Sequence, residues 1–545
     1  MKKWWLGFVL FLALACPTQV WAAESAAVML PDFAVTLNGV AIDNSHRQYP
    51  LLVYKGMTYF PLTYDDSRFL GLETGWTEEA GLTVERTNVS AVYKEALAGS
   101  NSRSLRAQTV DFPVTVNGEK AQADGAYPFL DFRGVTYIPL TWHYCTELFG
   151  WEQHFEAKEG LVITSNNPQI NGIRLKHGIW QRDASWKQPL LLAAGQLWVQ
   201  DGQEIVTMPL TAPEKRTVLK EVAMETTARG SSVSKGRFEQ VGEASYFTEG
   251  GSNGQRYLLL PDGKWEKIAQ GVYRIGNWEI TLAAVDRDIT GNLTIRSLQS
   301  GHTVAADTRY HYDTDVSQLD FHQLIQSGDR LYLTCIDPQS TKGTMICQVE
   351  LATGETTVIG YGGELVLDGG WLYYVGYDDA RGRDAYYRYS LASGLTEQVP
   401  VDHQMYDMAL ANVYTVLQGQ LYYKDFTQFF LEPPTGLTVQ EQEQYDLKRR
   451  QANHSGDGDL YRQGETTSLN PGGHVVELAQ AGDYVYAIFT PREEQAAAPY
   501  RLMIFDRQGK VVFKTTDDVS CVSISGHQAA YTVENMPWIF WMTLE

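Results

Sequence analysis

Cysteine is scarce in this chain: five residues in 545, of which Cys145, Cys335, Cys347 and Cys521 lie beyond residue 22. Four scattered thiols exclude a disulfide-built scaffold, and they lack the paired short spacings of a zinc site. Positive charge is also short. Lys and Arg number 44 against 65 Asp and Glu, for a net charge of −21. Nucleic acid and anionic lipid, which are held by basic patches, are therefore excluded as expected partners. After residue 22 no apolar run reaches the roughly 20 residues that a membrane-spanning helix needs, so no integral membrane segment is expected. Other catalytic and phosphate signatures are absent as well: there is no His-Glu-x-x-His, no Gly-Lys-Ser/Thr and no dinucleotide fingerprint.

What is present is aromatic and glycine-rich. Thirty-one Tyr, 14 Trp and 48 Gly favour β structure with many turns, and the length calls for two or more domains. Residues 1–22 read as a secretory signal. Lys2 and Lys3 precede an apolar core, and Val20-Trp21-Ala22 supplies a small-residue cleavage site. The expected location is therefore extracellular or in the cell envelope. Lipid anchoring through Cys16, which follows Ala13-Leu14-Ala15, is the minor alternative.

A hexapeptide occurs twice. Thr58-Tyr59-Phe60-Pro61-Leu62-Thr63 returns as Thr136-Tyr137-Ile138-Pro139-Leu140-Thr141, and its surroundings return 78 or 79 positions later: Asn38-Gly39 as Asn117-Gly118, Gly71 as Gly150, Trp76 as Phe155. Asn-Gly is a hairpin signal, and Pro61 and Pro139 suit the first turn of a short helix closed by glycine. The expectation is a small α+β module used twice, with repeats at 33–87 and 112–165 inside a domain at 23–170. A polar connector between them carries a short helix over 91–97. These motifs resemble the copper amine oxidase N-terminal-like stalk module of secreted bacterial proteins, which implies a stalk and no catalysis. Thr63 and Thr141 stand where that family usually has Arg.

From 171 to 545 the pattern changes to short strands. A glycine turn followed by an aromatic strand recurs, as in Gly328-Asp329-Arg330-Leu331-Tyr332, Gly370-Trp371-Leu372-Tyr373-Tyr374 and Gly419-Gln420-Leu421-Tyr422-Tyr423; Leu-x-x-Gly follows at Leu351 and Leu391. One such unit makes a four-stranded blade, and repetition at roughly 40–50 residues predicts a β-propeller of seven or eight blades. A strand near Ile173 would close the last one. The recurring residues resemble a low-density-lipoprotein-receptor-like propeller domain of unknown function. An insertion at about 425–458, with a helix-forming run from Gln440, breaks the rhythm. The fold class expected is mainly β, a duplicated α+β stalk followed by this propeller.

Two groups stand out as candidate sites. Asp286, Asp288 and Thr290 have the opening spacing of a calcium loop, but Ser297 occupies the twelfth position and no helix precedes, so a hairpin turn is the preferred reading. Cys335 and Cys347 flank a turn and, with symmetric pairing about Thr341, would lie opposite each other as a disulfide candidate. No catalytic residue and no cofactor are assigned. The function expected is a non-catalytic binding or scaffold protein whose propeller recognises a protein or a cell-wall glycan. The alternative is a polysaccharide hydrolase or lyase with carboxylates at the propeller axis. The oligomeric state is left open.

Overall fold

The computed structural model describes residues 24–544 except 122–125, 179–188, 223, 228–229, 234–235, 250–253, 285–289, 314–323, 341–342, 381–382, 402–413, 425–436, 446–457 and 492–499. The chain divides into two compact units, one holding 1–87 and 93–166, the other 88–92 and 167–545.

In the first unit the two hexapeptides pair with each other. Strands Met57–Pro61 and Val135–Pro139 run antiparallel with Phe60 opposite Ile138, so the local two-fold passes between the copies. Each proline lacks a donor, and the next residue supplies it: Leu62 N–H bonds Thr136 O and Leu140 N–H bonds Thr58 O. These strands belong to a closed six-stranded barrel with Leu130–Phe132, Ser104–Thr109, Ser25–Met29 and Leu52–Tyr54. Two four-stranded sheets complete the unit, and both mix the copies. Gly81–Arg86 of the first pairs in parallel with Val114–Val116 of the second, and Gly160–Thr164 of the second with Val35–Leu37 of the first. Gly81 and Gly160 make this approach possible. Both have positive φ, and a Cβ would stand 2.1 Å from Pro113 O and 2.0 Å from Ala34 O.

Several expectations change here. The copies are interlocked, so neither is a self-contained module. Residues 91–97 form no helix, because 88–92 belongs to the second unit, where Ser90 N–H bonds Lys514 O and Val92 N–H bonds the Asp517 carboxylate. The first helix spans only Tyr64–Phe69, capped by Thr63. The second, His143–Leu148, is a π-helix in which Phe149 N–H reaches back to Tyr144 O.

The second unit is a β-propeller, and eight blades can be counted among its described residues. Blade 1 comprises Leu190–Ala193, Gln196–Asp201, Glu204–Pro209 and Thr217–Glu221. Blades 2 to 7 follow over 237–268, 272–305, 325–361, 363–399, 414–462 and 473–515. Blade 8 takes three strands from 519–543 and its outermost from Asn171–Arg174, which pairs antiparallel with Trp538 to Trp541. Separate apolar clusters join blades 1 and 2, 2 to 4, 4 and 5, 5 and 6, 6 and 7, 7 and 8, and 8 and 1, so the ring is closed. The recurring aromatics fill these cores: Trp198, Tyr246, Tyr332, Tyr373, Tyr422 and Tyr531 are buried.

Candidate functional site

The propeller topology separates its two ends. In a four-stranded meander the turns from strand 1 to 2 and from 3 to 4 share one end. The connections from 2 to 3 and from one blade to the next share the other. The first end is tight, with turns such as Gly369-Gly370, Gly482-Asp483 and Leu351 to Gly354. At the other end lie the strand ends that flank the longest intervals of sequence: Lys424 and Leu460, Val399 and Tyr414, Asp313 and Ile325, Pro491 and Leu502. Residues 439–445 in the first of these are helical, begun by reciprocal bonds between Thr438 and Glu441.

Three innermost strands are bulged near their first residues, at this loop end. The register shifts between Gly363 and Val366, between Val475 and Glu477, and between Val519 and Cys521. Bulges re-aim side chains and are common beside binding sites. At the first, Glu364 has φ of 57° and its carbonyl accepts from the Tyr414 hydroxyl. At the second, Glu477 accepts from the Tyr486 hydroxyl at 2.6 Å. Burial, then the Glu477 charge, pushes the Tyr486 pKa well above its usual value. The same two causes raise the Cys521 thiol on the neighbouring inner strand.

His474 sits on the same strand as Glu477, with Nε2 3.3 Å from the Nζ of buried Lys424. The ammonium offers only donors, so Nε2 faces it as the acceptor of this contact. Gly458 leaves room for this imidazole; a Cβ there would stand 2.3 Å from Nδ1. In blade 2, Glu239 lies 2.6 Å from Arg256, whose guanidinium stands 4.4 and 4.2 Å from the Tyr246 and Tyr273 rings, in the corner these two rings make at 70°. A cavity of about 520 Å³ opens at the same end of that blade, lined by Gly254, Gln255, Lys267, Ile268, Ala269 and Gln270. The loop end thus offers carboxylates, an imidazole and amide groups on a rigid ring.

Of the residues singled out from sequence, Asp286 and Asp288 lie outside the described residues, and Thr290 begins the strand Thr290–Ser297. Among the described residues no group of three or more His, Cys, Asp or Glu is placed to hold a metal ion. Cys335 and Cys347 are bonded, with Cα atoms 6.2 Å apart. Their placement differs from the symmetric expectation. Cys335 is opposite Met345 and Cys347 opposite Leu333, so the bridge is diagonal across one face of the hairpin. None of Lys424, His474, Glu477, Glu364 or Glu239 was signalled by a motif, because strand pairing and ring closure bring them to this end.

No family model matches the chain, and no curated protein matches it. Solved structures do. The β-propeller domain of the Trilobed protease from Pyrococcus furiosus is 9% identical at a TM-score of 0.34, covering 60% of this chain and 97% of that one. An oligogalacturonate lyase in complex with manganese is 13% identical at 0.32, covering 72% and 96%. A prolyl endopeptidase is 10% identical at 0.36, covering 64% of this chain and 54% of that one, so the chain spans about half the endopeptidase. At these identities the likeness is one of fold. The expectation of a chain that is not an enzyme is nevertheless corrected, since a lyase and an endopeptidase stand among these neighbours.

Proposed function

We propose that the chain is an exported protein of the cell envelope whose propeller takes a protein or a cell-wall glycan at its loop end. The observation that carries this reading is the asymmetry of the two ends. Bulged inner strands, half-buried His474 and Glu477 and the strand ends that flank the longest sequence intervals gather at one end, while tight glycine turns occupy the other. Long loops on a rigid repeat scaffold are where such folds bind. The signal-like residues 1–22 and the resemblance to secreted stalk-and-propeller proteins support export. The net charge of −21 disfavours nucleic acid.

The test is a glycan array and an envelope-protein panel probed with the chain lacking 1–22, followed by reducing-sugar release on every glycan retained. Retention that depends on the loop end supports the reading. Sugar release that survives repurification makes the bound glycan a substrate and assigns a hydrolase or lyase. A chain that retains nothing from either panel contradicts it.

A further inference from the structure

The first unit exposes large aromatic rings at equivalent positions of its two copies. Trp76 is 56% exposed and its counterpart Phe155 58%. Each stands at nearly a right angle to a half-buried ring. Trp76 meets Phe112 at 4.6 Å and 89°, and Phe155 meets Phe33 at 5.1 Å and 89°. Phe33 and Phe112 are themselves counterparts, and each follows an exposed aspartate, Asp32 or Asp111. Trp76 and Phe155 lie on strands at the edges of the two mixed sheets, Leu72–Thr77 and Glu152–Glu156. Shielding the sheet edge accounts for one side of each ring. The exposed remainder, more than half in both copies, has no such role.

We propose that these two aromatic corners are paired subsites for a neutral polysaccharide. A flat exposed ring offers a face to the C–H side of a sugar, and the perpendicular ring forms a wall beside it. The exposed carboxylates Asp32 and Asp111, next in sequence to the wall rings Phe33 and Phe112, can accept hydrogen bonds from hydroxyl groups, Asp32 beside its contact with Arg103 at 3.7 Å. The net charge of −21 repels a polyanion. Two like corners in one unit suit a ligand that repeats, because a polymer engages several weak subsites at once. This inference is independent of the propeller reading, since it concerns the other unit.

Affinity electrophoresis through gels containing a neutral glucan or galactomannan tests it, with polygalacturonate and polylysine gels as charged comparisons. The neutral polymers should retard the protein. Trp76→Ala and Phe155→Ala should each weaken retention about tenfold, the order expected from one stacked ring, and the double variant should migrate as in an empty gel. Trp76→Phe and Phe155→Trp should keep most of the retention, which separates ring loss from misfolding. Unchanged retention in a double variant with wild-type circular dichroism overturns the inference. So does retardation by polylysine alone, which would mark an acidic peptide-binding patch, or a change in oligomeric state alone, which would mark a self-association surface.

Discussion

Arg47 and Asp66 form a buried pair at 2.5 Å, with side chains 2% and 5% exposed. Asp66 also accepts the Thr63 hydroxyl at 2.7 Å, so the pair is tied to the first helix cap. Removing one partner strands a charge, which costs about 3–5 kcal/mol. Asp66→Ala should therefore lower the denaturation midpoint of the first unit far more than Thr63→Ala, a cap loss of about 1 kcal/mol; equal shifts would deny the pair its role. Glu204 bonds Arg216 at 2.5 Å and Lys176 at 3.1 Å. The Arg216 bond, then the Lys176 bond, holds its pKa below the usual value. A depressed carboxylate contributes stability above its unfolded pKa, about 4.3, and loses it as pH falls through the folded value. Glu204→Gln should flatten the loss of stability below about pH 4.5, and an unchanged acid limb would contradict this. Burial pushes the Cys145 thiol up to about 12. In the chain lacking 1–22, under denaturing conditions, two thiols, Cys145 and Cys521, should react before reduction and four after it. Four before reduction would mean that Cys335 and Cys347 are not bridged.

Elements were unevenly legible in the sequence. The glycine turns and alternating aromatic strands were readable because both are local: positive φ at Gly370 or Gly419 and a two-residue period. Parallel pairing of Leu82 with Val114 and Leu161 with Val35 joins residues distant in sequence. No local pattern records it, so the interlocking of the two copies was hidden. The strand Asn171–Arg174 was legible as a closing strand near Ile173, although its register with Trp538 to Trp541 was not. That strand is also where the ring is easiest to open. Ile173 packs on the cluster joining blades 8 and 1, and Ile173→Pro removes a ladder donor. Thermal unfolding of this variant should begin at a lower temperature than in the wild type, with blades 1 and 8 losing hydrogen-exchange protection first. Protection lost first in blade 4 would argue against closure at this seam.

At the scale of the molecule, the fold was legible and the loop-end residues were not. His474, Lys424 and Glu477 lie on strands whose sequences read only as blade core, and a bulge changes which way a side chain points without changing composition. The central claim is that the propeller takes its ligand at the end where its inner strands begin. The most direct measurement is a binding titration with whichever ligand the panels select. It is made in the Trp76→Ala/Phe155→Ala background, so that only the propeller is read. His474→Ala and Glu477→Gln should each weaken binding about tenfold, about 1.4 kcal/mol. Lys264→Ala at the opposite end, where Lys264 and Asp262 form an exposed pair at 2.7 Å, should leave binding unchanged. Binding lost on replacing Lys264 and kept on replacing His474 and Glu477 would place the ligand at the other end and contradict the account.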